Sequence, residues 1–77
     1  MAHYFFRPDG GQANADVIEH DLPDLEQARI EARDSARDML VEGALHGEDR
    51  LAWRMIVTDS AGRTVLHLPF AAAFRSH

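Results

Sequence analysis

The stretch DLEQARIEARDSARDMLVEGALH, Asp24 to His46, decides the fold, because it carries the sustained helical period of this 77-residue chain. Leu25, Ala28, Ala32, Ser35, Ala36, Met39 and Gly43 recur at three- and four-residue steps, which gathers them on one face of a helix. That face is mostly small, so the helix is expected to lie close on whatever it covers, with Leu40 and Ala44 widening the stripe toward its end. Its start is well marked. Asp24 can cap the first turn, Gln27 follows at capping-box spacing, and Pro23 discourages helix at Leu22. Gly43 and Gly47 weaken the last turns, and either can serve as the stop.

Working outward, the helix is flanked by two strand-rich arms. His3-Tyr4-Phe5-Phe6-Arg7 is aromatic and of strand length, and Pro8-Asp9-Gly10-Gly11 after it is a turn signal. A weaker strand is expected over Ala15-Asp16-Val17-Ile18-Glu19-His20, and its low apolar content places it at a sheet edge. Beyond a polar connector, Glu48-Asp49-Arg50, the segment from Ala52 to Thr58 is the strongest strand of the chain. Asp59-Ser60-Ala61-Gly62 makes a hairpin turn, Arg63 to Leu68 returns, and Pro69 ends regular pairing because it has no N–H to give. The order predicts an α+β fold, ββαββ, a small antiparallel sheet with one helix packed on one face. A single domain spans 1–77, with a hairpin at about 2–20, the helix at about 24–46, a second hairpin at about 52–69 and a short tail at 70–77, read as frayed or docked on a neighbour.

Period-two alternation assigns the faces. Trp53, Met55 and Val57 share one side, as do Leu66, Leu68 and Phe70, and both sets are assigned to the helix-facing core. Either Tyr4 and Phe6 or Phe5 joins them, the pattern leaving that choice open. One helix cannot cover both faces of a sheet. Arg54, Ile56, Val65 and His67 are therefore expected on an uncovered face, and with Arg7 and Arg63 they form the candidate interaction surface.

Composition narrows the function. A chain this short buries only about 60% of its unfolded surface, and with no cysteine it has neither disulfide nor thiolate metal site to staple it. Self-association is the remaining common source of buried area, so a homodimer is expected, and the missing cysteine fits a cytoplasmic location. No apolar stretch approaches a membrane span or a signal peptide. A net charge of −5 argues against general affinity for phosphate backbones.

No constellation carries chemistry. The five histidines, His3, His20, His46, His67 and His77, sit on separate segments without the short spacings of a zinc site. Asp34, Asp38 and Glu42 line one helix row and are read as a solvated face rather than an acid–base pair. Arg29, Arg33 and Arg37 form a second row, read as intrahelical pairing with Glu26 and Asp34 rather than an anion site. Ser35, Ser60 and Ser76 have no elbow motif, and Trp53 is read as a core anchor. No catalytic, cofactor-binding or metal-binding residue is assigned, and no enzyme is expected.

His3-Tyr4-Phe5-Phe6, the Asp9-Gly10-Gly11 turn, Asp21-Leu22-Pro23-Asp24-Leu25 before an Ala/Arg-rich helix, and Asp59-x-x-Gly62-Arg63 before Leu66-x-Leu68-Pro69-Phe70 resemble one family. It is domain of unknown function 6894, short bacterial proteins frequent in rhizobia and their relatives. The resemblance spans nearly the whole chain and implies no chemistry. A second likeness, confined to the first half, is to HicB-type antitoxins, which also run strand, acidic-glycine turn, strand, Asp-Leu-Pro segment and helix. The expected function is a non-enzymatic interaction module, homodimeric through the uncovered sheet face or an edge strand. The alternatives are a nucleic-acid-associated or antitoxin-like regulator using Arg7, Arg54, Arg63 and His67, and a small enzyme.

Overall fold

A computed structural model describes residues 1–10 and 17–74 of the chain. Among them, four strands form one antiparallel sheet: β1 (Ala2–Asp9), β2 (Ile18–Leu22), β3 (Arg54–Asp59) and β4 (Thr64–Pro69), in the order β2-β1-β3-β4. The helix α1 runs from Leu25 to Leu45 and a 3-10 helix from Phe70 to Phe74. The α+β class, the antiparallel sheet and the element order are as the sequence predicts. Because β2 and β3 both run antiparallel to β1, α1 joins two parallel strands across the one between them.

The capping prediction holds at Asp24. The Asp24 carboxylate accepts the Gln27 backbone N–H at 2.9 Å, His46 is the C-cap, and Gly47 takes the left-handed φ of 73° that ends the helix. Ala28, Ala32 and Ala36 are fully buried, with Leu40 and Gly43 completing the stripe. They meet Tyr4, Phe6, Trp53, Met55 and Val57, which settles the open choice on β1: Tyr4 and Phe6 face the helix and Phe5 faces away. Two helix assignments change. Leu25 is 45% exposed and Ala44 is exposed. A 21-residue helix is about 31 Å long at 1.5 Å per residue. The strands, five to eight residues long, reach about 17–27 Å, so α1 outruns each of them and its ends are left exposed.

Four strand expectations are also corrected. β1 continues through Pro8 and Asp9, because both still pair with β3 beyond the last β1–β2 pair, Phe6 with Ile18. Its turn begins at Gly10, and Gly11 lies outside the described residues. β2 begins at Ile18 and ends at Leu22, set by the pairing of Leu22 with Ala2; Ala15 and Asp16 lie outside the described residues. It is an edge strand, as its composition suggests. Trp53 precedes β3, where its carbonyl accepts the Phe70 N–H at 2.9 Å. Val65 leaves the open face: between the pairs Val57–Leu66 and Thr58–Thr64 it is the extra residue of a bulge, and it packs against the core.

The tail is not frayed over its described part. Phe70 and Ala73 are fully buried, and Arg37 of α1 donates to the Ala73 carbonyl at 2.7 Å, which folds the 3-10 helix back along α1. Arg75 to His77 lie outside the described residues.

The connector holds a further packing element. The Arg50 side chain crosses α1 at Gly43, donates to the Met39 carbonyl at 3.0 Å, and lies 4.8 Å over the Trp53 ring. A Cβ on Gly43 would stand 2.7 Å from Arg50 Cδ and Nε. Helix propensity alone favours alanine over glycine by about 1 kcal/mol. Gly43→Ala should nonetheless destabilise, by about 1–2 kcal/mol, because the crossing arginine is forced off its carbonyl and ring. Urea unfolding would check the sign; a stabilised variant would mean that Arg50 swings aside freely.

Candidate functional site

The uncovered face of the sheet carries His3, Phe5, Arg7 and Asp9 on β1, Glu19 and Asp21 on β2, Arg54, Ile56 and Thr58 on β3, and His67 on β4. Of the residues expected there, the structure brings Arg7, Arg54, Ile56 and His67 together, with Arg7 and His67 on either side of Ile56. Arg63 stays in the hairpin turn, where Asp59 accepts its backbone N–H at 3.0 Å and its Nε at 3.2 Å. Those N–H groups, Arg63 foremost, hold the Asp59 carboxyl below its ordinary pKa. Arg54 is tied to Asp9 at 3.0 Å.

At the β2 side, His3 sits between two carboxylates, Nδ1 at 2.6 Å from Asp21 and Nε2 at 2.8 Å from Glu19. The hydrogen bond to Asp21, then that to Glu19, raises its pKa above the usual imidazole value. Charges on this face thus largely answer one another, and its apolar members, Phe5 and Ile56, are half-buried. The sheet edges are guarded as well. β2 presents Glu19 and Asp21, while β4 is interrupted by the Val65 bulge and closed by Pro69.

The other polar groups do not converge. His20 lies on the helix side, 5.3 Å from the Phe6 ring and 3.5 Å from Glu31, and His46 caps α1. Among the described residues, no three His, Asp or Glu side chains are grouped to hold a metal ion. Asp34, Asp38 and Glu42 are exposed. The arginine row is divided: Arg29 pairs with Glu26, while Arg37 is committed to Ala73 and lies 5.7 Å from the Phe74 ring centre.

Exposed apolar surface gathers instead at the far end of α1. There the overhanging helix, the connector and the 3-10 helix enclose an open groove of about 470 Å³, walled by Leu40, Val41, Ala44, Leu51 and Phe74. Val41 is 51% exposed, Leu51 53% and Phe74 55%, and Leu45 beside them is 79% exposed. The polar rim is Glu48, Asp49 and Arg50. Arg50 pairs there with Glu48 and lies 3.7 Å from Glu42, and the Asp49 carboxylate accepts the Leu51 N–H at 2.9 Å.

The model of one protein family, Domain of unknown function (DUF6894), matches residues 3–71. The chain belongs to this family. The match takes in α1, most of β1 and all of β2, β3 and β4. No curated protein and no solved structure matches the chain. Among the described residues of this DUF6894 protein, no helix is long and apolar enough to cross a membrane.

Sequence reasoning missed the groove of this DUF6894 domain because its walls come from three segments whose side chains carry no shared period. One signal was available. Val41 and Leu45 stand four residues apart on α1, away from the alanine stripe, and so form an apolar pair that the core stripe does not include.

Proposed function

We propose that this DUF6894 protein is a non-enzymatic protein-interaction module that docks its partner in the groove at the C-terminal end of α1. The observation that carries this is the cluster of Val41, Leu51 and Phe74, each more than half exposed around one cleft. It transfers the binding role from the sheet face, where charge pairs are internally matched, to a concave apolar surface with a polar rim. A regulator that grips nucleic acid through Arg7, Arg54, Arg63 and His67 gains less support, since Asp9 and Asp59 already engage two of those arginines.

Titration with a small apolar probe such as benzyl alcohol, followed by two-dimensional 15N NMR, tests the location. Shifts are expected at Val41, Ala44, Leu51 and Phe74, with Arg7, Ile56 and His67 unmoved. Shifts concentrated on the sheet face would return the binding surface there.

A further inference from the structure

Resting on that reading, we infer that the groove's occupant is a cationic amphipathic segment of a partner protein, presenting apolar side chains to Val41, Leu51 and Phe74 and lysine or arginine to the Glu48–Asp49 rim. Three features of the groove specify this chemistry.

The first is charge balance. Among the described residues, Glu42, Glu48 and Asp49 stand on the connector side of this end of α1 with Arg50 as their cation, and the side chain of Arg50 is largely withdrawn, 17% exposed, with its guanidinium on Glu48, the Met39 carbonyl and the Trp53 ring. Glu48 and Asp49 are exposed. The second is the helix dipole. α1 ends here with no basic residue in its own last turn, and Arg50 of the connector reaches back to the Met39 carbonyl, so the negative end of the helix has room for a further cation. A partner's ammonium or guanidinium would supply it. The third is shape. The groove is open and shallow, walled by Leu40, Val41 and Ala44 of α1, by the connector and by Phe74 of the 3-10 helix, an apolar surface on which an amphipathic helix can lay anchors at i, i+3 and i+4. On the 3-10 side, Arg37 covers Phe74, which leaves the connector side as the place for the partner's cations. A second copy of this chain fits less well, because isologous contact through the groove would bring the Glu48–Asp49 rims of both copies into one interface.

Three synthetic 14-residue peptides with the same leucines at helical spacing, carrying lysine, glutamine or glutamate on the polar face, provide the test. Trp53, the single tryptophan, is the optical probe, since Arg50 links its ring to the groove rim. Two-dimensional NMR gives the location. The lysine peptide is expected to shift Val41, Ala44, Leu51 and Phe74 and to bind at least tenfold tighter than the glutamate peptide at low salt, with the gap closing as salt is added. Glu48→Gln with Asp49→Asn keeps both acceptor oxygens and should bring the lysine peptide within threefold of the glutamine peptide. Equal affinity of all three peptides at the groove would overturn the charge assignment and leave the docking surface standing. Groove residues unmoved by any peptide would sink both. A lysine peptide that shifts Glu19 and Asp21 instead would show attraction to general acidity. Peptide-free, concentration-dependent changes at the groove would make a second copy the occupant.

Discussion

Trp53→Ala should lower stability by about 3–5 kcal/mol, the usual cost of emptying a large buried aromatic site. For a domain whose total margin is about 5 kcal/mol or less, that is enough to unfold much of the population. The ring is 8% exposed, 5.9 Å from Phe70, and capped by Arg50 at 4.8 Å. It also sits where backbone segments converge. Gly10 approaches so closely that a Cβ there would lie 2.9 Å from Trp53 Cα, in a backbone conformation, φ 138°, that side chains avoid. Truncation thus removes the apolar contact, strands Arg50 without its ring and opens the end of the sheet at once. Chemical denaturation followed by far-UV circular dichroism would measure it. A loss under 1 kcal/mol would mean that the cluster closes over the gap and that Trp53 is not its anchor.

Phe70→Ala should cost nearly as much, about 3 kcal/mol or more, although Phe70 lies only seven residues from the end of the sequence. A frayed tail would predict almost no effect. The ring is fully buried, its backbone N–H is given to the Trp53 carbonyl at 2.9 Å, and the helix it begins is tied to α1 through Arg37. The two aromatic rings pack against each other, 5.9 Å between centres, so the double variant Trp53→Ala/Phe70→Ala should fall short of the sum of the single losses. Strict additivity would show that they stabilise separate regions. Because Phe74 is the outer wall of the groove, loss of Phe70 should also weaken binding of the lysine peptide even where the domain remains folded.

Local signals made much of the fold legible. Asp24 and Gln27 marked the start of α1 because a cap is made within four residues, and Gly62 marked the hairpin because its φ of 82° suits glycine. Alternation on β3 placed Met55 and Val57 correctly, since a strand buried on one side imposes its period on the sequence. On β4 alternation placed Leu66, Leu68 and His67 correctly and failed at Val65, the extra residue of a bulge, which has no mark in a run of apolar residues. The reach of Arg50 over Gly43 to Trp53 was invisible, because a long side chain can cross a neighbour without any periodic trace.

The amino-acid sequence by itself determined the element order, the start of the helix, its alanine face and the hairpin turn at Gly62, because each depends on interactions within a few residues. Only the tertiary structure decided the strand order, the return of Phe70 to Phe74 onto α1, and the groove of Leu40, Val41, Ala44, Leu51 and Phe74. That groove exists because α1 outruns the sheet beneath it, and the overhang is a comparison of two lengths that no local pattern contains.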